Sequence, residues 1–480
     1  MQQLICLHDI LPRVEPELNY GSLNTSISLT VNENGHEISD PSPESYLSRI
    51  LTVPLDITIE IFLLCLPRPY CRPCSRDAPL LLLQVCSYWR SVALATPLLW
   101  ARLDMELHFR HPRRMKNVRS CMTEWITRAS AALLALGLQE AGRSESTVLE
   151  NQMGTIVSRY ASRCESLRLR ASITTLSELP KIGTLPTVRR LGLEYFQSDL
   201  PSHPVTISAF RDTPNLREVA LGPFTSPAII EIPWCQITTF AGGSMSSADY
   251  LFIFRSCPQL MSCTVIHLTR GGISGSETAG CTHSCLQSLN ISNSAGRILT
   301  LVGFPSLTEL SLTRLTDMTP HLLHELLSRC AASLVRLNYA PHRDNKLNIE
   351  TLLSLDNLAD LDIGGVRGIL FHSFVHQLNR ANASTFLPNL RRLRIESDSW
   401  DRCELEANLV DALTSRSGRD MVDVRGPRPL KSFRLLWNQE CRVSFAALEA
   451  MRQLRKRNEK MEIHVGFPTV NLLDDRIKLY

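Results

Sequence analysis

The chain has 480 residues, 44% of them hydrophobic and 20% charged, a composition that allows a large buried core. That length exceeds one ordinary compact domain, so several domains or a repeat array are required. Lys and Arg number 51 against 47 Asp and Glu, and a net charge of +4 demands no nucleic acid as partner.

Residues 1–45 read as a disordered arm, because "NYGSLNTSISLTVNENGHEISDPSPES" cannot bury enough apolar area to offset its ordering entropy. The opening "MQQLICLHDILPRV" lacks the basic start and apolar run of an export signal, and no later stretch has the roughly 18 apolar residues of a membrane span. The 15 cysteines form no repeated framework and fit reduced thiols. A soluble protein of the cytoplasm or nucleus, without membrane contact, is expected.

Three short helices are predicted between Leu51 and Leu103. The first starts at Pro54, where a missing N–H costs nothing, and runs to about Leu66 before Pro67, Pro69 and Pro73 break it. It carries two apolar stripes, Ile57, Ile61 and Leu64 on one side and Leu55, Ile59, Phe62 and Leu66 on another. One stripe suffices to face a core, so the other needs a separate explanation. The second helix is "LLLLQVCSYWRSVAL", also doubly striped, and "TPLLW" opens a third, with Thr96 as cap and Pro97 in the first turn. The basic run "FRHPRRMKNVR", residues 109–119, reads as a solvated linker.

From residue 107 onward one phrase recurs: apolar, two residues, apolar, one residue, apolar. It is clear in "CESLRL", "VRRLGL", "LREVAL", "LMSCTV", "LQSLNI", "LTELSL", "LVRLNY", "LADLDI", "LRRLRI" and "LKSFRL". Clean intervals between middle residues are 28, 21, 27 and 24, inside the range of leucine-rich repeats. A gap of 44 between Val219 and Cys263 leaves room for a degenerate unit at Ile237 and Phe240. The last intervals, 32 and 40, imply inserted loops such as "DSWDRCELEANLVDALTSRSGRDMVDVRGPRP". Helix-like stretches, "GTIVSRYASRC" and "PHLLHELLSRCAASL" among them, separate the phrases. The expected fold is therefore α/β: a short three-helix domain over 46–106, then a curved solenoid over 107–480 with a parallel sheet and outer helices.

The stretch from Leu51 to Leu103 resembles an F-box: a Val-Pro start at Val53 and Pro54, an "EIF" helix, "QVC..WR..A" and a "TP.LW..L" close. It is most similar to F-box proteins of mushroom-forming fungi, and "EWITRASAALLALGL" resembles their first helix–strand unit. The resemblance implies a non-catalytic substrate-recognition subunit of a Skp–cullin–F-box ubiquitin ligase. The F-box would dock on a Skp-family adaptor, and through it a cullin, while the repeats bind a protein cargo. It assigns adaptor contact to Val53, Pro54, Ile57, Ile61, Leu66, Val85, Cys86 and Trp89. The loop from Pro67 to Arg76 is longer than the family's usual connection. An interaction scaffold with no ubiquitin role would use the same two surfaces.

An alternating strand places the phrase's leucines inward and the residues between them outward. Cargo contact is accordingly expected at Glu309, Arg336, Asp360, Asp362, Arg392, Arg394 and Arg434. Catalysis is not expected: neither GxSxG nor HExxH occurs, and "TRGGISGSETAG" lacks the P-loop lysine and the dinucleotide fingerprint. Cys71 and Cys74 form a CxxC without a second ligand pair, and Cys281, His283 and Cys285 read as loop residues, so no metal and no cofactor are expected.

Overall fold

The computed structural model describes residues 53–67, 72–108, 111–141, 150–179, 184–196, 205–268, 281–293, 299, 302–316, 318–340, 349–365, 368–379, 386–397, 407–417, 428–437 and 445–474. The expected disordered arm, Cys71 and the glycine-rich stretch 269–280 lie outside them. Contacts divide the chain into two compact units, one ending at Asn215 and the other beginning at Leu216.

The first unit opens with helices α1 (Leu55–Leu64), α2 (Leu82–Val85) and α3 (Ser87–Ala95), then a 3-10 turn over Pro97–Trp100. The long second helix of the sequence reading is in fact two. Cys86 is extended at φ −157°, and its Sγ accepts the Trp89 N–H at 3.4 Å, so it ends α2 and caps α3. Thr96 does not cap either; its hydroxyl donates back to the Val92 carbonyl at 2.7 Å. Strands β1 (Arg102–Leu107), β2 (Leu134–Glu140), β3 (Cys164–Ala171) and β4 (Arg190–Tyr195) follow, each parallel to the next. Helix α4 (Pro112–Arg128) joins β1 to β2, and α5 (Glu150–Tyr160) precedes β3. The basic run at 109–119 is thus largely helix rather than linker. Met115, Met122, Trp125 and Ile126 at helical spacing bury one face of α4, and Arg113, Arg114 and Lys116 stay exposed on the other.

The helical head is fastened to the first repeat by tryptophans. Trp100 is fully buried, donates Nε1–H to the Ala93 carbonyl at 2.9 Å and meets Trp125 edge-on at 4.8 Å. The Arg128 guanidinium lies 4.5 Å over the Trp100 ring, and Trp125 donates to the Arg102 carbonyl at 3.1 Å. Leu103 pairs with Leu136, and Leu136 with Leu167. Trp100 therefore occupies the first apolar position of a repeat phrase, Trp100-x-x-Leu103-x-Met105, whose strand is β1.

In the second unit the strands are β5 (Glu218–Leu221), β6 (Thr239–Met245), β7 (Ser262–Leu268), β8 (Cys281–Thr282), β9 (Ser288–Ser292), β10 (Val302–Gly303), β11 (Glu309–Thr313) and β12 (Arg336–Ala340). They continue as β13 (Asp360–Gly364), β14 (Arg392–Ser397), β15 (Ser432–Trp437), β16 (Glu462–Phe467) and β17 (Val470–Asn471). β8 and β10 form a small separate ladder; the others pair in chain order, parallel until β17 turns back on β16. Leu289, Leu310, Leu337, Leu361, Leu393, Phe433 and Ile463 stand in one register line, each 2% exposed or less. Each repeat alone would leave this row wet, and stacking buries it. The degenerate unit sits where the long gap placed it, with Phe240 between Val219 and Cys263.

After α6 (Ile173–Ser177) of the first unit, helices α7 (Ser247–Ser256), α8 (Pro320–Cys330), α9 (Gly368–Leu378), α10 (Ala407–Ser415) and α11 (Phe445–Arg457) lie between strands of this unit. α10 falls inside the stretch expected to be an inserted loop; Leu409, Ala412 and Leu413 pack it into the core as a repeat helix. A side-chain ladder also ties repeats together. The Asn just before the first leucine donates to a carbonyl of the preceding repeat: Asn215 to Pro186 at 2.6 Å, Asn357 to Ala332 and Asn389 to Asp356, both at 2.8 Å.

Candidate protein-docking site

On α1 the two stripes separate from Ile57 onward; Leu55, the first residue of the inner one, is 55% exposed. Phe62 is buried at 1% exposure and meets Trp89 at 4.9 Å, with Ile59 and Leu66 half-buried beside it. The other stripe faces solvent: Ile57 is 48% exposed, Ile61 44% and Leu64 66%. Leu55, Leu81, Val85, Leu94 and Leu98 are exposed nearby in sequence. Isolated exposed leucines are ordinary; an apolar stripe on one helix that no described residue covers is a candidate docking surface.

The sequence-predicted adaptor residues divide on this surface. Ile57, Ile61, Val85 and Pro54 are exposed, whereas Val53, Leu66, Cys86 and Trp89 are half-buried. Trp89 packs on Phe62 and so holds α3 against α1, and Cys86 caps α3. The described end of the long loop, residues 72–76, is anchored: the Gln84 amide donates to the carbonyls of Ser75 at 2.9 Å and, beyond the loop, Leu80 at 3.2 Å, and Arg72 pairs with Glu106 at 2.5 Å.

The seven charged residues expected on the sheet's solvent face are all there, in two register rows. Glu309, Arg336, Asp360 and Arg392 form one row; Asp362, Arg394 and Arg434 lie in the next. What spacing did not reveal is that they are bonded to one another. Glu309 pairs with Arg336, and Arg392 grips Asp360 with both fork nitrogens, its Nε donating at 2.7 Å. Arg394 lies 3.7 Å from Asp362 and 3.0 Å from Glu396, and Arg434 is 2.9 Å from Glu462. The strip is an alternating ladder close to neutral, with two further acids, Glu396 and Glu462, that sequence reading missed. Burial pushes the Asp362 carboxyl up, with Arg394 opposing and Glu396 reinforcing. Only the second row becomes uncharged in the direction of β7, with Asn338, Ser311, Asn290 and Thr264 in register; the first keeps Glu309 on β11.

The first unit has its own charged cluster on β1–β4. Gly137 and Gly192 leave room across the sheet: a Cβ at Gly137 would overlap the Asp104 carboxylate, and one at Gly192 would press on Arg168. Arg170 reaches Glu194 at 3.2 Å and lies over Phe196. Burial raises the Asp104 and Glu194 carboxyls above their ordinary values, opposed by Arg168 and by Arg72 and Arg170 respectively. A carboxyl raised in the folded state binds its proton before the unfolded chain does, so it adds stability as pH falls from the folded value toward the ordinary one. Asp104→Asn is therefore expected to remove this contribution on mild acidification, read as a smaller rise or a larger fall of the urea midpoint from pH 7 to pH 5 than in the parent chain. An equal pH dependence in both proteins would refute it.

Among the described residues no helix is long and apolar enough to cross a membrane, and no group of three or more His, Cys, Asp or Glu is placed to hold a metal. His283 is buried, with Nε2 2.9 Å from the Cys257 carbonyl, while Cys285 is exposed.

No family model and no curated protein matches the chain. Among solved structures it is similar to a chain of the Toll–Spatzle complex from Drosophila, titled a molecular hub in development and innate immunity. Identity is 12%, coverage 74% of this chain and 48% of that one, and the TM-score 0.28. The chain thus spans about half the length of that match. The repeat architecture described above rests on the strand register itself.

Proposed function

We propose that the chain is a non-catalytic substrate-recognition subunit of a Skp–cullin–F-box type ubiquitin ligase, acting in the cytoplasm or nucleus. The helices of residues 55–100 are the F-box, docking on a Skp-family adaptor and through it a cullin. The repeats form a curved leucine-rich-repeat solenoid whose sheet face receives a protein cargo, with Glu309, Arg336, Asp360, Asp362, Arg392, Arg394 and Arg434 at its charged end. Ubiquitin transfer would occur on other subunits, and this chain would supply proximity. The observation that carries the reading is the outward stripe of Ile57, Ile61 and Leu64 on a helix whose opposite side is fixed by Phe62.

The test is co-expression of the full chain with a Skp-type adaptor and a cullin, followed by gel filtration. Co-elution of all three is the expected result. Adaptor without cullin would replace the ligase by a plain scaffold, and elution of the chain alone would overturn both the docking partner and the ligase.

A further inference from the structure

A further row crosses the second unit's sheet just before its strands begin. Val335 donates its N–H to the Thr308 carbonyl at 2.9 Å and Ala359 donates to Val335 at 2.8 Å. Arg391 donates to Ala359 and Lys431 to Arg391, both at 2.7 Å, so five residues stand in line at the margin where β11 to β15 start. Val335 is 37% exposed, Lys431 is exposed and Arg391 half-buried. The adjoining rows are neutralised from within. Glu309 pairs with Arg336, Asp360 with Arg392, Asp362 and Glu396 with Arg394, and Glu462 with Arg434. Among the described residues no acidic side chain pairs with Arg391 or Lys431. The row is therefore uncharged from Thr308 to Ala359 and ends on two cations of neighbouring strands.

We propose that this margin binds an extended acidic segment of the cargo protein, with an apolar residue on Val335 and Asp or Glu side chains on Arg391 and Lys431. Strands stand about 4.8 Å apart and an extended chain advances about 3.3 Å per residue, so the two cations are reached about three and four residues beyond Val335. The Arg391 guanidinium can take a carboxylate in two parallel bonds, and Lys431 adds a point charge beside it. Charge decides the class of partner. Two cations beside an exposed valine complement a short acidic peptide. A nucleic-acid strand would carry its phosphates past the carboxylates of the ladder and meet too few cations to offset them. The assignment rests on the reading of the sheet face as the cargo face, and it needs neither adaptor nor cullin.

The test is selection of a displayed library of random twelve-residue peptides on the full chain, with counter-selection on its Lys431→Glu variant. The surviving pool is expected to carry Asp or Glu about three to four positions from an apolar residue. Fluorescence anisotropy of one such peptide should then show affinity lowered about tenfold or more by Lys431→Glu, because like charges would face each other. Val335→Asp should weaken binding in the same direction. With its acids changed to Lys, the peptide should prefer the double variant Arg391→Glu, Lys431→Glu to the parent chain. Lys456→Glu, at an exposed position of α11, is the control and should change nothing, and circular dichroism checks that each variant keeps the native fold. A pool without acids, no surviving peptide, or an equal loss in Lys456→Glu would sink the assignment. Displacement of the peptide by a single-stranded oligonucleotide that binds more tightly would sink it too. No adaptor enters the selection, so its failure and a failed co-elution are told apart.

Discussion

Aspartate at both Ile57 and Ile61 should abolish adaptor capture by the full chain while its thermal midpoint scarcely moves. Both side chains are about half exposed in the chain itself, so the fold loses little, within about 0.5 kcal/mol per site. In a complex they would be covered. Each isoleucine would then contribute about 1–2 kcal/mol of buried apolar area, and each aspartate would bring a carboxylate into a surface with no counter-charge. Together these exceed about 4 kcal/mol, a loss of about a thousandfold in affinity. Pull-down with purified adaptor, beside a melting curve, measures both halves. Adaptor retained at wild-type strength would move the interface off α1. Trp89→Ala is a poorer probe, because Trp89 holds α3 to α1 through Phe62 and its loss would disturb the head itself.

The largest expected loss of stability comes from a single buried cation. Arg416, 1% exposed, follows α10 and donates from Nε to the Leu378 carbonyl at 3.0 Å and from a terminal nitrogen to Leu387 at 3.1 Å. Its other terminal nitrogen bonds the Phe386 carbonyl. One guanidinium thus closes the end of α9, the turn before β14 and the end of α10 on one another. Arg416→Met keeps most of the volume and removes every donor, leaving the Leu378 and Phe386 carbonyls short of a partner at about 1–3 kcal/mol each, while the Leu387 carbonyl keeps its bond from the Leu390 N–H. A loss of about 3–5 kcal/mol is expected in urea unfolding, with Arg416→Lys recovering only part, because one ammonium cannot span three divergent acceptors. A change below about 1 kcal/mol would show that water replaces the clamp.

Much of this architecture is legible in the sequence because burial in a parallel stack is strictly periodic. Leu289, Leu310, Leu337, Leu361 and Leu393 announce their strands, and even Phe240 can be placed by a gap of the right size. What stayed hidden has physical causes. β16 lacks the opening leucine of the phrase, Lys460 standing where it should be, and its two inward residues alone look like any strand. β1 was masked because Trp100 belongs both to the head and to the first repeat phrase. The break at Cys86 contains no Pro or Gly; a thiol in the role usually taken by Ser or Asp makes it. For the docking site, periodicity identified two stripes on α1, but only packing told which one Phe62 takes inside. On the sheet face alternation gave the correct side, and pairing between strands, which reduces the free charge, depends on a register no single segment contains.

The double membership of Trp100 matters for anyone who trims the chain. A fragment begun at residue 107 would strip β2 of its neighbour, leaving a raw row of amides and carbonyls, and would uncover Trp125. Such a margin recruits whatever strand it meets, so clumping of that fragment would reflect a lost end-cap and not weak repeats. Begun at Pro97 instead, it would keep both β1 and the indole pair.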